Sequence, residues 1–99
     1  MTKEDALEAL SGCRERIDEV DRRLIHLLNE RASVVEEIGR IKGKAAMAVY
    51  EPKREDEVFA NIAANNGGPL SHDAAKRVFE RIIDEMRKIQ RDRMEQRSC

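Results

Sequence analysis

The sequence predicts an all-α chain of three helices, one very long at the N-terminus, one short and one long. Three observations carry this reading. Apolar residues recur at heptad spacing from Leu7 to Lys42 without a break. The run Asn65-Asn66-Gly67-Gly68-Pro69 is a strong stop between two shorter stretches of helical periodicity. No strand pattern longer than a few residues occurs anywhere in the chain.

The first helix is the element that sets the problem. Leu10, Ile17, Leu24 and Ile38 form one seven-residue column, and Cys13, Val20, Leu27, Val34 and Ile41 form its companion. Residues 1–5 are polar and are expected to fray, with Thr2 or Asp5 as the cap. Gly43 is expected to end the helix. At 1.5 Å per residue, Leu7–Lys42 spans about 54 Å. A compact globule of this size has a radius of gyration of only about 13 Å. One chain cannot cover both ends of such a rod, so the seam continues onto a second copy. The expected architecture is an intertwined helical homodimer.

Residues 43–50 form a connection. Pro52 suits the first position of the second helix, and Glu51 stands where a cap or first-turn anion belongs. Val58, Phe59, Ile62 and Ala63 make that helix's inner face. Ser71 caps the third helix. Its inner stripe runs through Ala75, Val78, Phe79, Ile82, Ile83, Met86 and Ile89, with Gln90 on the same face. The 99 residues make one domain, with a polar tail from about position 92.

Composition excludes several classes of function. A net charge of −1 gives no basic excess for nucleic acid or anionic membrane. Phe59, Phe79 and Tyr50 are the only aromatics, too few for a base-stacking platform. Cys13 falls in the seam and is read as a buried structural thiol, while Cys99 is read as exposed and incidental. His26 and His72 read as surface residues, and no metal spacing, phosphate loop or nucleophile–base arrangement is present. With no apolar run fit for a signal peptide or a membrane span, the expectation is a cytoplasmic protein without cofactor or metal.

The polar residues on or beside inner faces are Arg31, Lys42, Arg54, Glu55 and Gln90. Arg31 interrupts an otherwise apolar column, and a guanidinium there is costly unless it reaches water or meets an anion. Lys42 follows eleven residues later, only about 20° round the helix and about 16 Å along it. Arg14 shares the face but lies about 42 Å from Lys42, within reach of a partner's site rather than its own. Each has a structural reading too: snorkelling for Arg31, a helix-end charge for Lys42, a solvated first turn for Arg54 and Glu55, register for Gln90. Taken together, the mostly cationic set suits holding a small polyanion and stabilising charge on it, without covalent chemistry.

In order and spacing, these residues match a known pattern. The motifs are Arg14-Glu15-Arg16-Ile17-Asp18-x-x-Asp21, Leu27-Leu28-Asn29-Glu30-Arg31, Ile38-Gly39-x-x-Lys42, Val49-Tyr50-Glu51-Pro52-x-Arg54-Glu55, and Ile82-Ile83 with Gln90. Over about residues 7–91 the chain resembles the all-helical chorismate mutases, found alone or fused to other shikimate-pathway enzymes of aromatic amino acid biosynthesis. The resemblance implies an isomerase that converts chorismate to prephenate as a homodimer. It implies that Arg14 from the neighbouring subunit and Arg31 hold the two substrate carboxylates. Lys42 and Gln90 would donate to the ether oxygen, Glu55 with the segment at Glu51 would take the ring hydroxyl, and Arg54 would support the site. Where some relatives carry a serine that touches a carboxylate, this chain has Met86, so that contact is absent or replaced. Glu51 stands where some relatives have aspartate. Two other readings compete. Isochorismate-pyruvate lyase shares the scaffold and the Arg, Lys and Gln set, although Glu55 favours the mutase. A helical dimerisation or regulatory module would need no chemistry at all.

Overall fold

The structure is a computed structural model that describes residues 1–95. Its three helices are α1 (Lys3–Ala45), α2 (Pro52–Asn65) and α3 (His72–Glu95), and the described residues contain no strand. The expectation for Cys99 lies outside the described residues.

The start of α1 is ordered rather than frayed. Thr2 Oγ1 accepts from the Asp5 N–H at 3.1 Å, and Asp5 Oδ2 accepts from the Thr2 N–H at 3.3 Å. This reciprocal pair satisfies two amides that the helix itself leaves open, and Glu4 and Asp5 oppose the positive end of the dipole. Residues 3–6 are thereby drawn into the helix.

Gly43 does not end α1. The helix runs on to Ala45, and the left-handed residue that closes it is Ala46, at φ 53°. The Met47 N–H then reaches back to the Lys42 carbonyl at 2.9 Å, the closing bond of a Schellman turn. A mid-helix glycine costs only about 1 kcal/mol, which the helix-forming Lys44 and Ala45 and this terminal bond offset. Where the helix stops matters for the next segment, because the turn at Ala46 folds the chain back over Lys42.

α2 begins with Pro52 at its first turn, as its missing N–H allows. It ends at Asn65. The Asn66 side chain then organises the turn, accepting from the Gly68 N–H and donating to the Leu70 carbonyl, both at 3.0 Å. Gly68 sits at φ 77°, a conformation that favours glycine. Ser71 Oγ caps α3 by accepting from the Ala74 N–H at 3.1 Å. α3 continues past Gln90 to Glu95, and Arg93 on this extension donates through Nε to Glu36 Oε2 of α1 at 2.6 Å.

The chain divides into two compact units, Met1–Ser33 and the residues from Val34 onward, and α1 contributes to both. The first unit is helix with a polar cap. Its apolar column is about half-exposed, with Leu10 at 46%, Ile17 at 57% and Leu27 at 60%. Cys13, expected to be buried in this seam, is exposed within this unit, like the apolar column it belongs to. In the second unit Val35, Ala75, Ile83 and Met86 form the buried core. α2 packs against α3 there, with Phe59 and Ile62 half-buried and Val78 and Ala63 more open than their periodicity suggests.

Candidate active site

α1 and α3 approach each other closely at Gly39. A Cβ at this position would lie 2.7 Å from the Gln90 carbonyl oxygen and 3.0 Å from Arg93 Cβ. Backbone atoms cannot swing aside, so only a residue without a side chain allows the contact. One turn further along α1 is Lys42. Its position is therefore tied through Gly39 to that of Gln90.

Lys42 is 6% exposed, the only charged residue in the buried set among the described residues. A buried ammonium needs compensation, and the folded-back segment after Ala46 supplies it. Nζ donates to the Val49 carbonyl at 3.0 Å and pairs with Glu51 Oε1 at 2.5 Å. An ammonium has three donors, so one is left after these two contacts. Glu51 occupies the N-cap position of α2 but makes no side-chain cap, since its carboxylate is taken by Lys42. Gln90 presents a buried side-chain oxygen, Oε1, with no hydrogen-bond partner among the described residues. Leaving such an atom unsatisfied costs about 1–3 kcal/mol, so it marks a place where a hydrogen-bond donor is expected.

The second set of polar residues lies between α2 and α3. Glu55 accepts from Arg87 Nε at 2.8 Å through Oε2, and its other oxygen pairs with Nη2 of the same guanidinium. Arg87 Nη1 donates to Asp84 at 3.1 Å, and the guanidinium carbon lies 5.1 Å from the centre of the Tyr50 ring. The hydrogen bonds to Glu55 hold the Arg87 pKa above its ordinary value, against the opposing effect of desolvation. A groove of about 340 Å³ opens beside this pair, floored by Phe59 and Ile83 and edged by Lys76, Glu80 and Asp84.

The structure thus brings Lys42, Glu51 and Gln90 to the α1–α3 contact and Glu55 to the α2–α3 contact. Arg54 is exposed and pairs with Glu57 on its own helix at 3.2 Å. Met86 is buried in the core, so it packs and offers no polar group. Arg14 and Arg31 belong to the Met1–Ser33 unit, Arg14 exposed and Arg31 half-buried. Three participants had no role assigned from the sequence. Gly39 and Tyr50 stood inside recognised motifs, and a glycine three residues before a site lysine was a usable signal of close approach. Arg87 gave no signal, because it stands in a run of charged residues indistinguishable from a solvated face.

Comparison with known proteins bears directly on this arrangement. The family described as chorismate mutase type II matches residues 13–91. The bifunctional chorismate mutase/prephenate dehydratase of Aquifex aeolicus is 37% identical over 81 residues, covering 78% of this chain and 22% of that protein. The chain therefore spans about a fifth of the length of that relative. A chorismate mutase of Methanocaldococcus jannaschii is 23% identical over 91 residues, covering 91% of this chain and 92% of its own. A solved chorismate mutase structure from Thermus thermophilus superposes with a TM-score of 0.81 at 32% identity, covering 83% of this chain and 93% of that one.

Proposed function

Because the chain belongs to the type II chorismate mutase family, we propose that it converts chorismate to prephenate. The observation that carries the proposal is a buried ammonium, held by Val49 and Glu51 with a donor to spare, one turn from the point where α1 packs against α3 at Gln90. The rearrangement is concerted and internal to one molecule. The ether C–O bond breaks, a C–C bond forms, and no proton, water or cofactor takes part. As the C–O bond lengthens, negative charge gathers on the ether oxygen. Lys42 Nζ and the Gln90 amide N–H donate to that oxygen, and they bind it more tightly as its charge grows. Donors already fixed in place need no reorganisation during the step, and losing one such donor typically costs about 3–4 kcal/mol.

The remaining residues hold the substrate. Arg31 and Arg14 take the two carboxylates and keep the enolpyruvyl arm folded over the ring, which removes rotational freedom before the reaction. Glu55 accepts from the ring hydroxyl. Arg54 supports the rim of the site at the start of α2. Arg14 comes from a second copy of the chain, so the working form is a homodimer. The half-exposed column Leu7, Leu10, Ile17, Val20, Leu24 and Leu27 supports this, because contiguous apolar surface of this kind is what a partner helix covers.

Two measurements test the proposal. Purified protein should deplete chorismate absorbance and yield prephenate. No prephenate, or pyruvate released from isochorismate instead, overturns the activity. For the shared site, two inactive variants, Arg14→Ala and Arg31→Ala, should recover activity when mixed, since one site of each heterodimer is then intact. Absence of recovery after verified subunit exchange overturns the cross-subunit role of Arg14.

A further inference from the structure

We infer that Arg87 is a positioning residue for Glu55, and that Tyr50 and Asp84 hold Arg87 in place for it. The inference rests on the reading that Glu55 receives the ring hydroxyl of the substrate. The geometry is a fork: Arg87 meets both oxygens of the Glu55 carboxylate through Nε and Nη2. Two parallel donors fix the plane of a carboxylate, which a single charge cannot do. Each oxygen keeps a second lone pair directed away from the guanidinium, so the paired carboxylate still accepts from a ligand.

The guanidinium is itself held on two further sides. Asp84, one turn earlier on α3, takes Nη1 at 3.1 Å. The Tyr50 ring lies against the guanidinium carbon at 5.1 Å. The segment 49–51 therefore serves two groups at once. Val49, through its carbonyl, and Glu51, through its side chain, secure Lys42, while Tyr50 between them secures Arg87. A three-residue strap thus couples the placement of the ammonium to that of the carboxylate. At 20% exposure for the Glu55 side chain and 31% for that of Arg87, water competes only partly with the fork.

The ring hydroxyl is not part of the reacting bonds, so a contact to it is equal in the ground and transition states. Misplacing Glu55 should then raise KM and leave kcat nearly unchanged. The test compares Arg87→Met, Arg87→Lys, Glu55→Gln and the double variant Glu55→Gln/Arg87→Met, reading kcat, KM and Tm on chorismate. Arg87→Met should raise KM about tenfold or more, the usual consequence of losing a hydrogen bond to a charged group. Arg87→Lys keeps the charge and loses the fork, so it should recover most of the Tm but not the KM. On the Glu55→Gln background, Arg87→Met should change kcat/KM less than twofold. A KM unchanged in Arg87→Met or Arg87→Lys, whatever the Tm, reduces the pair to a clip between helices and overturns the inference while the activity stands. Full additivity in the double variant also overturns it. A wild-type protein without turnover fails the activity itself and takes this inference with it.

Discussion

Gly39→Ala tests whether the close approach of α1 and α3 is what sets the distance between Lys42 and Gln90. The added methyl would sit 2.7 Å from the Gln90 carbonyl oxygen and 3.0 Å from Arg93 Cβ. Ordinary carbon–oxygen contact begins near 3.3 Å, so α3 must withdraw by about half an ångström. Overpacking of this kind costs about 1–3 kcal/mol, and replacing a helical glycine by alanine returns about 1 kcal/mol. The net loss of stability is then about 0–2 kcal/mol, small enough for the variant to fold. The effect on chemistry should be larger. A 1 Å misplacement costs about a hundredfold in rate, so half that displacement predicts about a tenfold loss in kcat. The assay is steady-state turnover of chorismate beside urea unfolding of the same preparation. A Gly39→Ala protein that unfolds earlier yet keeps kcat within twofold would refute the reasoning, since the helix contact would then be shown to carry stability and no geometry.

Gln90→Glu should shift the optimum toward acid, because a carboxyl donates to the ether oxygen only when protonated. Activity at neutral pH should fall at least tenfold and return as pH drops toward the ordinary glutamate range near 4.3, read from kcat/KM against pH. Lys42→Met removes the ammonium but keeps a long apolar stem, and should lower kcat by about a hundredfold or more in single-turnover measurements. Ala46→Gly relieves an alanine held at φ 53° and should stabilise the protein by about 1 kcal/mol in urea unfolding, with turnover unchanged.

The sequence made the elements legible because their signals are local. Heptad spacing, Pro52, Ser71 and the Asn65–Pro69 stop each act within a few residues, and each operates in the structure. The end of α1 was not legible, since Gly43 and Ala46 compete for the same role and the choice depends on where the chain must turn to reach Lys42. In the site, Lys42 and Gln90 stood out as polar residues on apolar faces. Their supports did not. Arg87 meets Glu55 across 32 positions of sequence, and Arg93 meets Glu36 across 57, so neither pairing leaves a periodic trace. Glu51 was read as part of the hydroxyl-binding segment, and its contact with Lys42 follows from a fold-back that no local rule specifies.

The Lys42–Glu51 pair explains how a site for an anion can be built from matched charges. Counted as a pair, the two cancel. Their surroundings differ, however: the Lys42 side chain is 7% exposed and that of Glu51 is 46% exposed. Water screens the half-exposed carboxylate far better than the buried ammonium, because the effective dielectric falls steeply from surface to interior. The field reaching inward from the pair is therefore net positive, although its formal charge is zero. Glu51 lowers the cost of holding Lys42 charged in the buried state, and solvent removes most of the cancellation that a fully buried partner would impose. By the same reasoning, a carboxylate moved inward at this position would quench the ammonium. An exposed one leaves most of the ammonium's field uncancelled.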